Sequence, residues 1–222
     1  MAGQVLLNAN MKDSAEDSAS DQQIAQTDII SASGLEFDLV TDAAVISKIK
    51  SLMGGDKDKF KEAYEVKNNK TETAYTDQVL KAKNKKIELF WHGSRNENWW
   101  SIITAGLLIR PSNAVHSGSM FGDGVYGANR FKKSYGYTSG RGSYWAGGSQ
   151  NEAVLALYSF HVGKQKEIKH HDSSCYKLSH SVLQRDGYDS VFAKGGYDLR
   201  NDEFIVYQAC QTTIKYLVVV NA

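Results

Sequence analysis

Several residue types and patterns are scarce in this sequence, and each shortage excludes a class of protein. The 26 lysines and arginines nearly balance the 25 aspartates and glutamates, so the formal net charge is +1. This balance argues against a protein whose whole surface binds nucleic acid, although it is compatible with a local basic face. The two cysteines, Cys175 and Cys210, are too few for a disulfide framework and form no CxxC pair typical of a zinc site.

Long apolar runs are also missing: no stretch approaches the roughly 20 residues that a membrane-spanning helix needs. The N-terminal sequence MAGQVLL lacks the basic start and the long apolar core of a secretory signal. Hydrophobic residues make up 41% of the chain and charged residues 23%, which is ordinary for a globular protein and too apolar for a disordered one. We therefore predict an intracellular protein, cytoplasmic or nuclear, that does not associate with membranes.

Glycine and aromatic residues are plentiful, in contrast to the single proline, Pro111. The chain has 19 glycines, concentrated after Gly93, together with 4 Trp, 12 Tyr and 8 Phe. Glycine permits positive φ angles and lets a ligand approach the backbone closely, whereas loops that only turn also recruit proline. Loops that mix glycine with tyrosine and tryptophan indicate a site for a flat ligand.

The composition of the chain changes near residue 34. Residues 11–28 are rich in Asp, Ser, Ala and Gln and contain no aromatic residue. From Leu35 onward, hydrophobic residues recur with the periods of strands and helices. We therefore expect residues 1–33 to form a polar arm, partly disordered, and residues 34–222 to form one folded domain.

The periodicity predicts helices mainly in the first half of this domain and strands mainly in the second. Thr41 is the predicted cap of a helix that ends at Gly54 and Gly55. Early helices followed by strands with long connections favour an α+β fold with a mostly antiparallel sheet. The predicted strands cover 35–40, 64–66, 87–91, 153–162, 204–208 and 214–220, and the predicted helices cover 41–53, 72–83, 97–105 and 129–135.

A histidine and a glycine follow the predicted strand at 87–91. At the end of a strand His92 can present a ring nitrogen, and Gly93 can turn its peptide N–H and C=O toward a ligand with no side chain between them. On its own, such a pair indicates only a histidine that caps the following helix.

Three further segments change this interpretation. HGSR at 92–95 is followed by FGDGVYGA at 121–128, KSYGY at 133–137 and NDEFIVY at 201–207. In this order the four segments resemble the HG(S/T), FGxGxYxA, KSxxY and NE(Y/F)IVY motifs of the poly(ADP-ribose) polymerase catalytic domain, which belongs to the diphtheria-toxin-like branch of the ADP-ribosyltransferases. The last motif carries an Asn-to-Asp change or an extra residue before its glutamate. Any one motif alone would be a weak signal.

The resemblance implies a fold and a reaction. The fold is an α+β ADP-ribosyltransferase fold, in which two packed, mostly antiparallel sheets form a split β-sandwich with flanking helices, and residues 34–222 are the catalytic domain. The co-substrate is NAD⁺, with no metal. Because nicotinamide leaves through an oxocarbenium-like transition state at the ribose C1′, the site must hold the nicotinamide, hold the ribose and place negative charge near the developing cation.

The resemblance also assigns roles to individual residues. The backbone of Gly93 and the hydroxyl of Ser134 hold the carboxamide. Tyr126 and Tyr137 pack on opposite faces of the pyridinium ring. Glu203 bonds the 2′-hydroxyl of the nicotinamide ribose, stabilises the cation and orients or deprotonates the nucleophile. The implied catalytic residues are His92, Tyr126 and Glu203, and the implied NAD⁺-binding residues are His92, Gly93, Ser94, Arg110, Tyr126, Ala128, Lys133, Ser134, Tyr137 and Glu203.

Some positions depart from the pattern of the family. Leu108 stands where many relatives have an arginine that holds the adenosine side, and Arg110 is the expected substitute. Gly127 replaces the aromatic residue that is common after the motif tyrosine, and we expect it to open space near the pocket. Ser119 stands where polymer-forming relatives often have a tyrosine, so a different acceptor side is expected.

We predict an enzyme that transfers ADP-ribose from NAD⁺ to protein side chains, itself included, with elongation to poly(ADP-ribose). Acidic and serine side chains between Ser14 and Asp28 are the expected automodification sites. The open alternatives are transfer of a single unit, transfer to nucleic-acid ends, hydrolysis of NAD⁺, and a non-catalytic module that binds NAD⁺ or ADP-ribose. Nucleic-acid acceptors are not indicated by the net charge and need a basic groove, for which the candidates are Arg130, Lys132, Lys133 and Arg141.

The adjacent pair His170 and His171 has no counterpart among the family's motifs. Neighbouring residues of a strand face opposite sides, so the pair indicates a solvated loop rather than two ligands of one metal ion. Asp172 beside the pair adds little to the case for a metal. We therefore predict no metal site.

Overall fold

The computed structural model describes residue 30 and residues 32–109, 119–138 and 151–221. From Leu35 onward the chain forms one compact unit. The predicted polar arm, residues 1–33, lies almost entirely outside the described residues, so its boundary stays a prediction. Within the described ranges, none of the helices combines the length and the apolar character needed to cross a membrane.

Strands outnumber helices along the described residues. The strands are β1 (Leu35–Leu39), β2 (Phe60–Asn68), β3 (Ile87–Gly93), β4 (Val125–Gly127), β5 (Glu152–His161), β6 (Gln165–Ile168), β7 (Ser190–Ala193), β8 (Glu203–Val206) and β9 (Thr212–Asn221). The α-helices are α1 (Ala43–Met53), α2 (Asn69–Lys81), α3 (Trp99–Ala105), α4 (Phe131–Tyr135) and α5 (His180–Arg185). Short 3₁₀ turns cover Gly54–Lys59, Asn96–Asn98, Cys175–Lys177 and Ala209–Gln211.

The described strands form two sheets. The larger sheet has the order β1-β2-β9-β5-β3, and the smaller has the order β4-β8-β7-β6. Their pairs are antiparallel, except that β6 runs parallel to β7. The predicted α+β class with two mostly antiparallel sheets is therefore confirmed.

Strand β5 is buried on both faces. Its side chains alternate between the two faces of the larger sheet, and each face is covered by other parts of the chain. Leu155 and Leu157 belong to a buried cluster that also contains Ile49 and Met53 of α1. Phe160, which lies an odd number of residues away from them, points to the opposite face and is completely buried. The larger sheet is thus covered by helix α1 on one face and by aromatic residues on the other.

Aromatic rings join the two sheets. Phe90 of β3 stacks on Phe204 of β8 with 4.0 Å between the ring centroids, and Phe204 stacks on Phe192 of β7 at 5.0 Å. Phe160 of β5 meets the Phe90 ring edge-on at 5.2 Å. Offset-stacked and edge-to-face arrangements are the favourable ones for aromatic pairs. These rings hold the end of β3 against the smaller sheet.

Helix α1 is capped by Asp42 and not by the predicted Thr41. The Asp42 carboxylate accepts a hydrogen bond from the N–H of Ala44 at 2.7 Å, which satisfies one of the donors left open in the first turn. The helix ends as predicted at Gly54, whose φ of 63° disfavours any residue with a side chain.

Among the residues that the structure describes, the periodicity does not predict strands β4, β6 and β7 or helix α5. The three strands have three or four residues each. Such lengths are too short to show an alternation, and their hydrogen bonds come from partners that are distant in sequence. Helix α5 has six residues, so the predicted set of helices, which ends with 129–135, is incomplete.

Candidate active site

Edge strand β3 leads to the place where the two sheets meet. The Trp91 N–H donates to the Ala128 carbonyl at 2.8 Å, and the Ala128 N–H donates to the Trp91 carbonyl at 3.2 Å. Trp91 belongs to the larger sheet, whereas Ala128 directly follows β4 of the smaller sheet. Strand β3 continues past this bridge with His92 and Gly93, so both residues lie at the junction of the sheets.

Gly93 lies so close to helix α4 that a side chain cannot fit between them. A Cβ atom at this position would be 1.9 Å from the carbonyl oxygen of Ser134 and 2.7 Å from its carbonyl carbon. The Ser134 hydroxyl is buried and donates to the Trp91 carbonyl at 3.1 Å, so its oxygen lone pairs point elsewhere. Gly93 and Ser134 thus lie in direct contact at the end of β3.

The ring of Tyr126 is held in place by its own hydroxyl. The Tyr126 Oη donates to the Gly122 carbonyl at 2.8 Å and accepts from the Phe121 N–H at 3.1 Å. Burial raises the pKa of Tyr126 to about 12, and the bond from Phe121 opposes this rise. Tyr126 is therefore a neutral phenol at physiological pH, fixed by the turn that precedes it.

Glu203 is the first residue of β8 and forms an ion pair with Lys133 of α4. The Glu203 side chain is 21% exposed and that of Lys133 is 19% exposed, so the pair lies at the edge of the interior. Tyr126 lies opposite Ile205 in the ladder between β4 and β8, two residues along β8 from Glu203. Lys133, implied to bind NAD⁺, thus contacts the implied catalytic carboxylate directly.

His92 lies on the face of β3 that is turned toward the smaller sheet. Its ring meets those of Trp99 and Tyr158 edge-on, with centroid separations of 6.3 Å and 6.1 Å. Burial lowers the pKa of His92 to about 4, and a hydrogen bond to the backbone of Tyr126 opposes this shift only in part. His92 is therefore neutral at physiological pH, with one ring nitrogen that donates and one that accepts.

The lowered pKa of His92 predicts a specific sensitivity to acid. The unfolded chain binds a proton at His92 near pH 6.5 and the folded chain only near pH 4, so this residue disfavours folding progressively as the pH falls through that interval. On moving from about pH 7.5 to about pH 5, we expect the melting temperature of the wild-type chain to fall further than that of His92→Gln. Scanning calorimetry of both proteins measures the difference, and an equal fall would contradict a neutral His92.

For the other implied NAD⁺-binding residues the structure gives fewer contacts. Tyr137 follows α4, donates its N–H to the Ser134 carbonyl at 3.1 Å and is 57% exposed, so its ring is accessible for stacking. The Ser94 hydroxyl accepts a hydrogen bond from the Asn98 amide at 3.1 Å. Arg110 lies outside the described residues.

The structure describes three of the four residues of the candidate basic groove. Lys133 contacts Glu203 and is not available as a free cation for nucleic acid. Arg130 and Lys132 are exposed, whereas Arg141 lies outside the described residues. Transfer to nucleic-acid ends therefore stays an open alternative.

Gly127 does not open space near the pocket, and that expectation is wrong. A Cβ atom at Gly127 would be 2.8 Å from the Cβ of Phe90 and 2.9 Å from the ring of Phe160. The position faces the aromatic layer between the sheets, where these two rings already fill the volume. Glycine is needed here for close packing.

His170 and His171 are both bound to Asp198. The His170 Nδ1 lies 3.2 Å from one carboxylate oxygen, and the His171 N–H donates to the other at 2.6 Å. The His171 Nε2 also lies 2.8 Å from the carbonyl of Met120, so His171 links Asp198 to the segment that leads to Tyr126. Among the residues that the structure describes, no group of three or more His, Cys, Asp or Glu side chains could hold a metal ion.

Two residues outside the predicted set lie beside the site. The Asn129 amide donates to the Asp202 carboxylate at 2.9 Å, and Asp202 directly precedes Glu203. The change from the motif asparagine to Asp202 is the sequence signal that points to this residue. Asn129 has no such signal, because its partner lies 73 positions away.

The comparison with known proteins identifies the family. The poly(ADP-ribose) polymerase catalytic domain matches residues 43–222. The chain is 34% identical over 163 residues to the poly(ADP-ribose) polymerase-like protein 100L of Invertebrate iridescent virus 6, a match that covers 72% of this chain and 84% of the viral protein.

Cellular relatives match over a smaller share of their length. The chain is 37% identical over 99 residues to poly(ADP-ribose) polymerase 2 of Arabidopsis thaliana, covering 45% of this chain and 15% of the plant protein. It is 29% identical over 155 residues to poly(ADP-ribose) polymerase 2 of Homo sapiens, covering 59% of this chain and 26% of the human protein. With a catalytic-domain match over most of its length, the chain belongs to the poly(ADP-ribose) polymerase family.

Proposed function

We propose that this chain is an NAD⁺-dependent ADP-ribosyltransferase that cleaves the nicotinamide glycosidic bond and transfers ADP-ribose to protein side chains. Membership of the family supports ADP-ribosyl transfer. The observation that carries the proposal is the convergence of Gly93, Ser134 and the Lys133–Glu203 pair at the junction of the sheets. Elongation to a polymer and modification of the chain itself are part of the proposal.

The nicotinamide end of NAD⁺ fits the groups around Gly93. A carboxamide has one acceptor and two donor hydrogens, and it needs partners of both kinds. The backbone of Gly93 and the oxygen of Ser134 can supply them, since no Cβ stands between Gly93 and α4. The planar ring then lies between Tyr126, which is fixed by its hydroxyl, and the exposed Tyr137.

Glu203 has the charge that the reaction requires. When the bond between C1′ and the nicotinamide nitrogen breaks, its electron pair leaves with the nicotinamide and positive charge develops on the ribose. A carboxylate close to the ribose stabilises that charge more in the transition state than in the ground state. The acceptor oxygen then bonds to C1′, and Glu203 orients it and takes its proton. Lys133 fixes the orientation of the carboxylate by its ion pair.

Two features support polymer formation. The chain has the complete His92, Tyr126 and Glu203 set, which accompanies polymer synthesis in several members of the family. The viral relative, of which the chain covers most of the length, is itself named polymerase-like.

The test is incubation of the purified chain with NAD⁺ labelled in its adenylate half. We expect label on the protein as a ladder or smear in a denaturing gel, with release of nicotinamide measured in parallel. A single sharp band would limit the activity to one unit per acceptor. Nicotinamide release without labelled protein would indicate hydrolysis or a missing acceptor, which addition of oligonucleotides distinguishes. No turnover would overturn the proposal and leave a binding module.

A further inference from the structure

Strands β4 and β8 separate just before the residue that the proposed chemistry depends on. Their ladder pairs Val125 with Val206 and ends with Gly127 opposite Phe204. One step further, Ala128 would face Glu203, but the backbone of Ala128 pairs with Trp91 of the larger sheet instead. At Glu203 the start of β8 therefore loses its partner on the β4 side, while Ala193 of β7 still pairs with it on the other side.

A side-chain hydrogen bond restores the connection at the next step. Continuing the same register places Asn129 opposite Asp202, and the Asn129 Nδ2 donates to the Asp202 Oδ2 at 2.9 Å. The acceptor is a carboxylate, so this bond is charge-assisted and stronger than a bond between neutral groups. Asn129 and Asp202 thus connect the segment after β4 to the segment before β8. Glu203 lies between this connection and the ladder of β4 with β8.

The second oxygen of Asp202 is also bound. The N–H of Gly195, in the connection that follows β7, donates to Asp202 Oδ1 at 2.8 Å. Gly195 packs closely against the peptide bond between Asn201 and Asp202. A Cβ atom at Gly195 would be 2.7 Å from the carbonyl carbon of Asn201 and 2.8 Å from the nitrogen of Asp202. Asp202 is therefore fixed from two different segments of the chain.

We propose that Asn129 and Asp202 are positioning residues that hold Glu203 against Lys133, an inference that rests on the proposed transferase function. Asn129 lies between Tyr126 of β4 and Lys133 of α4, and Asp202 is covalently next to Glu203. The hydrogen bond between them connects the segment that carries Tyr126 and Lys133 to the strand that carries Glu203. Neither Asn129 nor Asp202 needs to touch NAD⁺ for this role.

The pair offers an exchange that separates positioning from charge. In Asn129→Asp two carboxylates face each other and repel. In Asp202→Asn the Asn129 amide can turn over and accept from the new amide, so the bond is kept. In the double exchange Asn129→Asp with Asp202→Asn, the donor and acceptor are swapped and the net charge equals that of the wild type. Asn129→Ala removes the bond without adding charge.

We expect Asn129→Asp to lower kcat for nicotinamide release by roughly tenfold, and Asn129→Ala by several-fold, with the KM for NAD⁺ changed by less than about twofold. Asp202→Asn and the double exchange should remain within about threefold of the wild type. If only the net charge near Glu203 mattered, Asn129→Ala would leave kcat unchanged. Asp202→Asn would then shift kcat in the direction opposite to Asn129→Asp. That outcome, or a double exchange as slow as Asn129→Asp, would overturn the proposal.

Hydrogen exchange provides a readout that does not need activity. Amides of a peptide covering residues 201–206 should exchange faster in Asn129→Asp and return to the wild-type rate in the double exchange. If the wild-type chain cleaves no NAD⁺, the proposed function fails, whereas this exchange pattern would still establish that the pair fixes the start of β8. Unchanged exchange rates together with unchanged kcat in Asn129→Asp would refute the positioning role itself.

Discussion

Glu203→Gln is expected to lower the rate of ADP-ribosyl transfer by about 10²- to 10³-fold, which is the usual cost of removing one preorganised electrostatic group from an active site. The amide has the size of the carboxylate but no negative charge, so it cannot stabilise the cation that develops at C1′. Lys133 would then face a neutral partner and bring an unbalanced positive charge toward the ribose. Binding of NAD⁺ should change by less than about fivefold, because the effect belongs to the transition state.

The measurement compares nicotinamide release and protein labelling under saturating NAD⁺. Glu36→Gln is the matched control. Glu36 lies on β1, at the opposite edge of the larger sheet from β3, and forms an exposed ion pair with Lys67 of β2, so the substitution makes the same chemical change away from the site. We expect the control to retain wild-type activity. If Glu203→Gln loses less than about threefold in kcat, the carboxylate does not carry the proposed role.

The sequence predicts best those parts of the fold that its own periodicity encodes. Strand β3 is a hydrophobic run that ends in His92 and Gly93, and helix α4 and strand β8 overlap elements that the periodicity predicts. The roles of the site residues come from the resemblance of the motifs and stay predictions. Most strands of the smaller sheet are not predicted from the sequence. Strand β4 has three residues, and what makes it a strand is a ladder with β8, about 80 positions further along the chain.

The contacts that complete the site depend on this same distant pairing. Lys133 and Glu203 are separated by 70 positions, and Asn129 and Asp202 by 73. No local pattern announces such contacts, because each residue on its own is compatible with a solvated surface. Gly127 shows the reverse problem: a glycine in place of the family's aromatic residue suggests an open pocket, yet the register with β8 turns it toward Phe90 and Phe160. Whether a strand residue faces a ligand or the core is decided by register.

Gly93→Ala is expected to damage both stability and NAD⁺ use, because its new methyl group would overlap the carbonyl oxygen of Ser134. That oxygen belongs to the backbone of α4, so the helix itself must shift. Overpacking of this kind costs about 1–3 kcal/mol, which for a chain of this length lowers the melting temperature by about 5 °C. The shift also displaces Ser134 and Lys133, and a misplacement of about 1 Å at a reacting site can cost about a hundredfold in kcat/KM.

Gly55→Ala provides the matched control for this substitution, because a Cβ atom there has no heavy atom within 4 Å and the backbone has no positive φ. We expect the control to match the wild type in melting temperature and in kcat/KM. The two losses in Gly93→Ala have different origins and can be separated by temperature. Well below the melting temperature essentially all of the variant is folded. A loss in kcat/KM with a raised KM at that temperature therefore reflects a change in the NAD⁺ site and not a loss of folded protein. A Gly93→Ala variant with wild-type KM at that temperature would show that Gly93 serves only packing and that the carboxamide is held elsewhere.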